Sequence, residues 1–192
     1  GTIPYSIGGT GMDAGVKIVD NFLDPIDLKE VCKRSSPQHA PVGAQWTIQA
    51  SNERGSEKND NTQAFLELDV SKEKFFTTTI FNQIKKHLKG EYKIDRIYFN
   101  GQWSGREGDF HRDLCDVTAL LYCSPYQYGW GGFTEIMTSP TEPILVHPLE
   151  NRLCIFKGSI IHKGYSFSYQ HCPMRKSLAY KLISNAEDLK WK

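Results

Sequence analysis

Long apolar runs are missing from this chain of 192 residues. A membrane-spanning helix needs roughly 18 to 20 consecutive apolar residues, and no segment approaches that length. The first residues, Gly1 to Gly15, also lack a basic segment followed by an apolar one, which is the pattern of a secretory signal. We therefore expect no membrane partner and a cytoplasmic location.

Paired cysteines and an excess of charge of one sign are also missing. The five cysteines are odd in number, and none lies in a C-x-x-C pair. They predict neither a disulfide framework nor a structural zinc site, as expected in a reducing compartment. Lys and Arg number 23 against 22 Asp and Glu, so the formal net charge of +1 gives no general reason to bind nucleic acid.

The first half of the chain predicts helices beside a few strands. Asp24 followed by proline is a typical helix start and predicts a helix over 26–34. Ser71 is expected to cap a second helix that runs through Leu88, because apolar residues recur there at helical spacing. The almost wholly polar segment 51–62 predicts a mobile loop.

From residue 92 onward, short runs of β-branched and aromatic residues are separated by Gly, Pro, Asn and Ser, as in β-sandwiches and barrels. The candidate strands are 94–100, 109–113, 118–123, 133–137, 144–147, 152–156, 162–167 and 177–183. Their number and spacing suit a double-sheet jelly roll, and no helical period between them supports parallel winding.

The expected fold class is therefore α+β and mainly β, with a jelly-roll core, or double-stranded β-helix, and N-terminal supporting helices. We expect a single domain over 1–192, in which 1–91 supports a jelly-roll core at 92–184.

The segment 108–113, Gly-Asp-Phe-His-Arg-Asp, carries the most informative chemistry. Residues two apart on a strand point to the same face, so His111 and Asp113 would project side by side. His162, near the start of a later candidate strand, can supply a third ligand. Two histidines and one carboxylate form the facial triad of non-haem Fe(II) oxygenases, which leaves coordination positions open.

An H-x-D pair alone is weak evidence, because a buried histidine bonded to a carboxylate is the ordinary structural alternative. Arg175, at the last candidate strand, strengthens the metal interpretation. If its side chain points into the barrel, a lone guanidinium there needs an anion, and a dicarboxylate cosubstrate would provide one. A surface arginine at a strand start is the alternative.

With these residues in order, the sequence resembles the 2-oxoglutarate and Fe(II) dependent dioxygenases, and within them the prolyl 4-hydroxylase-like family. The resemblance covers about 94–184. The motifs that carry it are HRD at 111–113, ALLYCS at 119–124, WGGFTEI at 130–136, ENRLCIFKGSIIHKG at 150–164 and RKSLAYKL at 175–182.

The resemblance implies a role for each site residue. The implied catalytic iron ligands are His111, Asp113 and His162. Arg175 would bind the distal carboxylate of 2-oxoglutarate, Tyr122 would donate a second hydrogen bond to it, and Tyr98 falls where the family often places an active-site tyrosine.

The resemblance also implies Fe(II), 2-oxoglutarate and O2 as cofactor and cosubstrates, with ascorbate as a reductant. The implied reaction hydroxylates a prolyl residue in a peptide or protein and yields succinate and CO2. The expected partner is then a proline-containing polypeptide, and not a nucleic acid.

Substrate selection is expected at the barrel mouth and at the loop 51–62, which would close over a peptide or stay a solvated surface loop. Several aromatic residues would either line a groove for the peptide or pack in the core. They are Trp46, Trp103, Trp130, Tyr126 and Tyr128.

The sequence departs from the family at two positions. Arg175 stands farther beyond His162 than the family's basic residue usually does, so Lys163 and Lys176 stay open as alternative anchors. Lys176 is disfavoured because it would face opposite to Arg175 on one strand. Lys181 occupies a position at which the family has an aromatic residue.

Two alternative functions stay open on the sequence. One is an oxygenase acting on another amino-acid side chain or on a free amino acid. The other is a non-enzymatic, cupin-like module whose histidines are structural or hold a different metal. Arg175 together with Tyr122 would distinguish the oxygenase from such a module. Oxidative dealkylation of nucleobases is disfavoured, because no arginine follows Arg175 and the net charge is near zero.

Overall fold

The computed structural model describes residues 15–36, 46–50, 64–168 and 172–185. The predicted loop at 51–62 lies outside these residues. The elements of the described part are β1 (Val16–Val19), α1 (Pro25–Arg34), β2 (Thr47–Ala50), β3 (Ala64–Asp69), a π-helical segment (Phe75–Ile80), α2 (Phe81–Lys85), β4 (Tyr92–Gln102), β5 (Val117–Tyr122), β6 (Thr134–Ile136), β7 (Ile144–Val146), β8 (Leu153–Lys157), β9 (His162–Gly164) and β10 (Arg175–Ser184).

The strands form two antiparallel sheets. The main sheet has seven strands in the order β1-β8-β5-β10-β4-β3-β2, and the minor sheet has three in the order β7-β6-β9. The last strand, β10, lies between β5 and β4, with which it pairs on either side. This two-sheet jelly roll with N-terminal helices confirms the predicted fold class.

Side chains alternate between the two faces of the main sheet, as the period of a strand requires. Leu178 and Tyr180 of β10 face outward with Phe99 of β4, and they form the larger apolar cluster with helical residues such as Phe76 and Ile84. Burying each of these side chains contributes about 1.5–3 kcal/mol. The helices are therefore held on the outer face of the main sheet.

The inner face of the main sheet packs against the minor sheet. Tyr122 of β5 and Phe156 of β8 form a second, smaller apolar cluster with Ile136 of β6 and Val146 of β7. Along β4 and β10 the inner-face positions are mostly polar. The space between the sheets is thus apolar on one side and polar on the other, and the polar side holds the candidate site.

Helix α1 begins where the sequence predicts. The Asp24 carboxylate accepts hydrogen bonds from the backbone N–H groups of Ile26 and Asp27, both at 2.9 Å, and Pro25 is the first helical residue. Proline is tolerated there because the first N–H groups of a helix have no partner within it.

The helix predicted from Ser71 through Leu88 is shorter in the structure, and its predicted cap is wrong. The Ser71 hydroxyl donates to the Ile97 carbonyl at 3.1 Å and accepts from the Ile97 N–H at 2.9 Å, so it serves β4 rather than a helix end. The helical segment begins at Phe75 in the π form and ends at Lys85.

The predicted strand at 109–113 is also wrong, since only His111 forms a β-bridge, and that bridge is isolated. Gly108, His111 and Asp113 each donate one backbone hydrogen bond, to Gly164, His162 and Gly158 respectively. These separate contacts hold the segment against the β8–β9 region without building a ladder.

Strands from the first part of the chain belong to the main sheet. β1 pairs with β8, and β3 pairs with β4.

Among the helices of the described residues, none has the length and apolar character needed to cross a membrane.

Asn151 joins the turn before β8 to the segment before α1. Its side chain accepts from the Leu23 N–H at 2.9 Å and donates to the Leu23 carbonyl at 2.8 Å. Its own N–H donates to the Tyr122 carbonyl at 2.8 Å. The residue has a positive φ of 68°, which asparagine tolerates better than most residues.

We expect Asn151→Ala to lower the free energy of unfolding by about 2–4 kcal/mol, because two buried backbone groups of Leu23 lose their partners and alanine disfavours this φ. Urea denaturation measures the change. Asn21→Ala is the matched control, since Asn21 also has a positive φ of 51° but is exposed. Equal losses in the two variants would contradict the role given to the Leu23 hydrogen bonds.

Candidate metal centre

Three side chains with metal-binding atoms meet between the sheets. His111, Asp113 and His162 each place one such atom within 4.8 Å of the others. The Nε2 atom of His111 lies 3.4 Å from Oδ1 of Asp113, and the Nε2 atom of His162 lies 3.2 Å from Oδ2. The backbone bridge between His111 and His162, with hydrogen bonds of 3.0 and 2.9 Å, brings the two imidazoles together.

Both imidazoles are oriented by the same local hydrogen bond. Nδ1 of His111 lies 2.8 Å from the Asp109 carbonyl, and Nδ1 of His162 lies 2.8 Å from the Ile160 carbonyl. A carbonyl only accepts, so each Nδ1 carries a proton and each Nε2 can present a lone pair to a metal. Such a hydrogen bond donated by the nitrogen away from the metal is typical of metal-binding histidines.

The Asp113 carboxylate accepts two hydrogen bonds from side chains at one of its oxygens. Its Oδ2 atom accepts from the Thr118 hydroxyl at 2.7 Å and from the Lys181 ammonium. Burial opposes ionisation, but Lys181 and the two histidines outweigh it, so the pKa of Asp113 lies well below its ordinary value. Burial likewise opposes charge on His111, yet its hydrogen bonds to Asp113 and to the Asp109 carbonyl raise its pKa.

These residues fit a divalent metal. Two Nε2 atoms and a carboxylate oxygen lie within 4.8 Å of one another, and imidazole and carboxylate are both ligands that divalent transition metals accept. Two imidazoles and one carboxylate also leave coordination positions open on a metal of higher coordination number.

A cavity of about 120 Å³ adjoins this cluster. Its polar wall comes from the inner-face positions of β4 and β10 and from β6. These wall residues are Tyr98, Asn100, Gln102, Thr134, Ser177 and Lys181. Tyr98, Asn100 and Gln102 are alternate residues of β4, so the strand period places all three side chains on the same face.

Arg175 lies in the cavity wall and is only 3% exposed. Its guanidinium donates to the Gly132 carbonyl at 2.8 Å, to Oε1 of Gln102 at 3.0 Å and to the Thr134 hydroxyl at 3.1 Å. These partners are neutral, and none of the described carboxylates forms an ion pair with it. Burial removes water from the Arg175 guanidinium, and this desolvation lowers its pKa. The guanidinium that lines the cavity is therefore a poorly solvated cation.

Tyr122 lies behind the cavity wall rather than in it. Its hydroxyl donates to the Thr134 hydroxyl oxygen at 2.7 Å, and its ring lies 5.5 Å from the Arg175 guanidinium carbon. The Thr134 oxygen thus accepts from both Tyr122 and Arg175, so its own hydrogen is free to donate into the cavity. Thr134 is not among the residues predicted for the site, although it lies within the WGGFTEI motif.

Tyr98 is 9% exposed and lies in the cavity wall. Burial is the main cause that raises the pKa of its hydroxyl. The Lys181 ammonium lies 5.8 Å from the centre of its ring.

The two alternative anchors lie elsewhere. Lys176 faces outward, as strand parity predicts, and donates to the Ser35 hydroxyl at 3.1 Å. The Lys163 ammonium lies over the rings of Phe110 and Tyr165, at 5.4 and 4.5 Å from their centres. Of the three basic residues considered as anchors, Arg175 is the one that lines the cavity.

Of the five aromatic residues predicted to line a groove or to pack in the core, three pack on other rings and two are exposed. Trp46 packs on Phe99, and Trp130 packs on Phe167 together with Tyr126. Trp103 and Tyr128 are exposed, at 52% and 88%.

No protein-family model matches the chain, and no curated protein matches it. Solved structures do resemble it over most of its length. A prolyl hydroxylase from Trichoplax adhaerens, in complex with a hypoxia inducible factor peptide fragment, has a TM-score of 0.70 at 16% identity and covers 93% of this chain and 88% of its own. The protein has the fold of the 2-oxoglutarate–Fe(II) oxygenases.

Two further structures with this oxygenase fold come from bacteria. A 2OG-Fe(II) oxygenase family oxidoreductase from Burkholderia pseudomallei has a TM-score of 0.65 at 11% identity, with 92% of each chain covered. A prolyl-4-hydroxylase from Pseudomonas putida has a TM-score of 0.63 at 15% identity, covering 87% of this chain and 92% of its own. At such identities the likeness concerns the fold.

The lowered pKa of Asp113 predicts a pH dependence of stability. In the unfolded chain Asp113 takes up its proton near pH 4, while the folded chain resists protonation, so its ionised form stabilises the fold above about pH 4. That contribution is lost as pH falls. In metal-free protein we expect the melting temperature to fall less steeply between about pH 5 and pH 2 in Asp113→Asn than in the wild type. Parallel curves would contradict this prediction.

Proposed function

We propose that the protein is a 2-oxoglutarate and Fe(II) dependent dioxygenase. The observation that carries the proposal is Arg175, a buried guanidinium without a carboxylate partner among the described residues, in the wall of the cavity that adjoins the His-Asp-His cluster. A module that only binds a metal has no reason to bury such a cation beside it. The fold shared with 2OG-Fe(II) oxygenases supports the same reading.

His111, Asp113 and His162 would hold Fe(II). When bound, the iron supplies the activation of O2 that couples decarboxylation of 2-oxoglutarate, to succinate and CO2, with hydroxylation of a C–H bond, and ascorbate would keep it reduced. The chain holds the imidazoles in one tautomer through the Asp109 and Ile160 carbonyls, so both Nε2 atoms stay available to the metal.

Arg175 would bind the distal carboxylate of 2-oxoglutarate. Its remaining N–H groups and the free hydroxyl hydrogen of Thr134 are suited to a carboxylate, which accepts several hydrogen bonds. Tyr122 would support this contact from behind by fixing the Thr134 oxygen, and Tyr98 would form the opposite part of the wall. A cavity of about 120 Å³ admits a small dicarboxylate and leaves the prime substrate outside.

We propose that the prime substrate is a prolyl residue in a peptide or protein. The His111 side chain is 41% exposed, so the metal cluster reaches the surface. Phe110, the residue before it, is 49% exposed and offers an apolar contact there. A site that opens to the surface suits a polymer that presents one side chain. The structural neighbours named as prolyl hydroxylases, one of them bound to a peptide, support this choice.

We further propose that residues 1–192 act as one catalytic domain, with the core at 92–184. The pairing of β1 with β8 and of β3 with β4 supports this organisation, because the earlier strands complete the sheet that carries the site.

Arg175→Met should raise the KM for 2-oxoglutarate by about 100-fold, because a charge-assisted hydrogen-bonded pair contributes about 1.5–3 kcal/mol. Succinate formation by iron-loaded protein measures it, with a proline-rich peptide present. Lys176→Met is the matched control, since this neighbouring lysine faces the outer side of the sheet, and its KM should stay unchanged. Equal effects in both variants would remove Arg175 from the cosubstrate site.

Mass spectrometry of proline-rich peptides and of cell proteins tests the substrate. We expect a gain of one oxygen on proline that requires both iron and 2-oxoglutarate, and that disappears in His111→Ala. Oxygen on another residue would show a different substrate class, whereas no succinate and unchanged metal binding in His111→Ala would overturn the oxygenase proposal.

A further inference from the structure

Lys181 is a buried cation in direct contact with one of the three candidate metal ligands. Its ammonium donates to Oδ2 of Asp113, and the residue is 9% exposed. It reaches this position because Lys181 lies six residues after Arg175 and four after Ser177 on β10, and even spacings along a strand share one face. The contact is therefore built into the strand that also carries the guanidinium.

Asp113 is the anionic side chain that balances Lys181. Among the described residues, Asp113 is the carboxylate that pairs with it. The Lys181 ammonium also lies 5.8 Å from the centre of the Tyr98 ring. The Asp113 carboxylate in turn receives the Thr118 hydroxyl and faces the two histidines. In the absence of a metal, the buried charges of Asp113 and Lys181 compensate each other.

A divalent metal held by the cluster would share the Asp113 carboxylate with the Lys181 ammonium. Two cations close to one carboxylate repel each other, and the repulsion is strong where water is excluded. Removing one partner of a buried ion pair has the opposite effect on the metal-free chain, because it leaves the other charge uncompensated.

We propose that Lys181 is the counterion of Asp113 in the metal-free protein and that it weakens the binding of a divalent metal at this site. Lys181 thereby keeps the empty site folded and makes the bound metal exchangeable. The inference rests on the metal centre of the proposed function. A lysine that only oriented the carboxylate would act with the opposite sign, since its loss would weaken metal binding.

The test is a titration of chelator-treated protein with Mn(II), followed by the electron paramagnetic resonance signal of free Mn(II). This readout does not depend on activity. Lys181→Met keeps the length of the side chain and removes the charge. We expect it to lower the Kd for Mn(II) by at least about tenfold. We also expect a lower melting temperature without metal and a larger rise on adding Mn(II) than in the wild type.

Two control variants separate charge from other effects. Lys163→Met removes a lysine next to His162 in sequence whose ammonium lies over aromatic rings instead of Asp113. Its Kd should stay within about twofold, because a partly exposed charge is screened by water and salt. Thr118→Val removes the other donor to Oδ2 without a change of charge. It should lower the melting temperature without tightening metal binding.

The outcomes separate this inference from the proposed function. Mn(II) binding to the wild type with equal or weaker binding to Lys181→Met overturns the inference and leaves the metal centre in place. No binding to either protein overturns both. A Lys181→Met chain that folds only when Mn(II) is added supports the inference. If that variant folds in neither state, Lys181→Gln, which is also neutral, decides by the same Kd comparison.

Discussion

The arrangement of the three candidate metal ligands depends on the backbone bridge between His111 and His162. Two hydrogen bonds join an irregular segment to the first residue of a strand in the minor sheet. Without this bridge, the segment that carries His111 and Asp113 would have no regular partner at that point. The bridge also sets the distance between the two rings, whose centres lie 4.3 Å apart. The geometry of all three donor atoms thus follows from pairing of the main chain, and side-chain contacts refine it.

The alternation of side chains along β10 also places its buried charges on one face of the main sheet. On the outer face of β10, Leu178, Tyr180 and Leu182 belong to the apolar cluster that holds the helices, while the inner-face positions carry two cations, Arg175 and Lys181. The two cations have different partners. Lys181 pairs with the Asp113 carboxylate, whereas Arg175, within the described part of the chain, donates its hydrogen bonds to neutral groups. The two cations on one face of the strand thus differ in whether a carboxylate neutralises them.

Much of the fold could be predicted from local patterns, since the start of α1, the β-rich second half and the outward direction of Lys176 follow from rules that act over a few residues. The two wrong predictions, the helix cap at Ser71 and the strand at 109–113, concern residues whose partners are distant in sequence. The Ser71 hydroxyl bonds to Ile97 instead of a helix end, and the segment 109–113 contacts three separate residues instead of one strand. In the site, residue types pointed to the histidines and Asp113, but the contact of Lys181 with Asp113 becomes visible only once two segments are folded together.

The position of β1 and β3 in the main sheet has a consequence for association between chains. β1 covers one side of β8 and β3 covers one side of β4, and both covered strands carry backbone groups that would otherwise lack partners. Open strand edges of this kind readily pair with other polypeptides and promote aggregation. The early strands therefore cover β8 and β4, and a chain trimmed to its second half would expose two unpaired strand edges beside an intact set of candidate site residues.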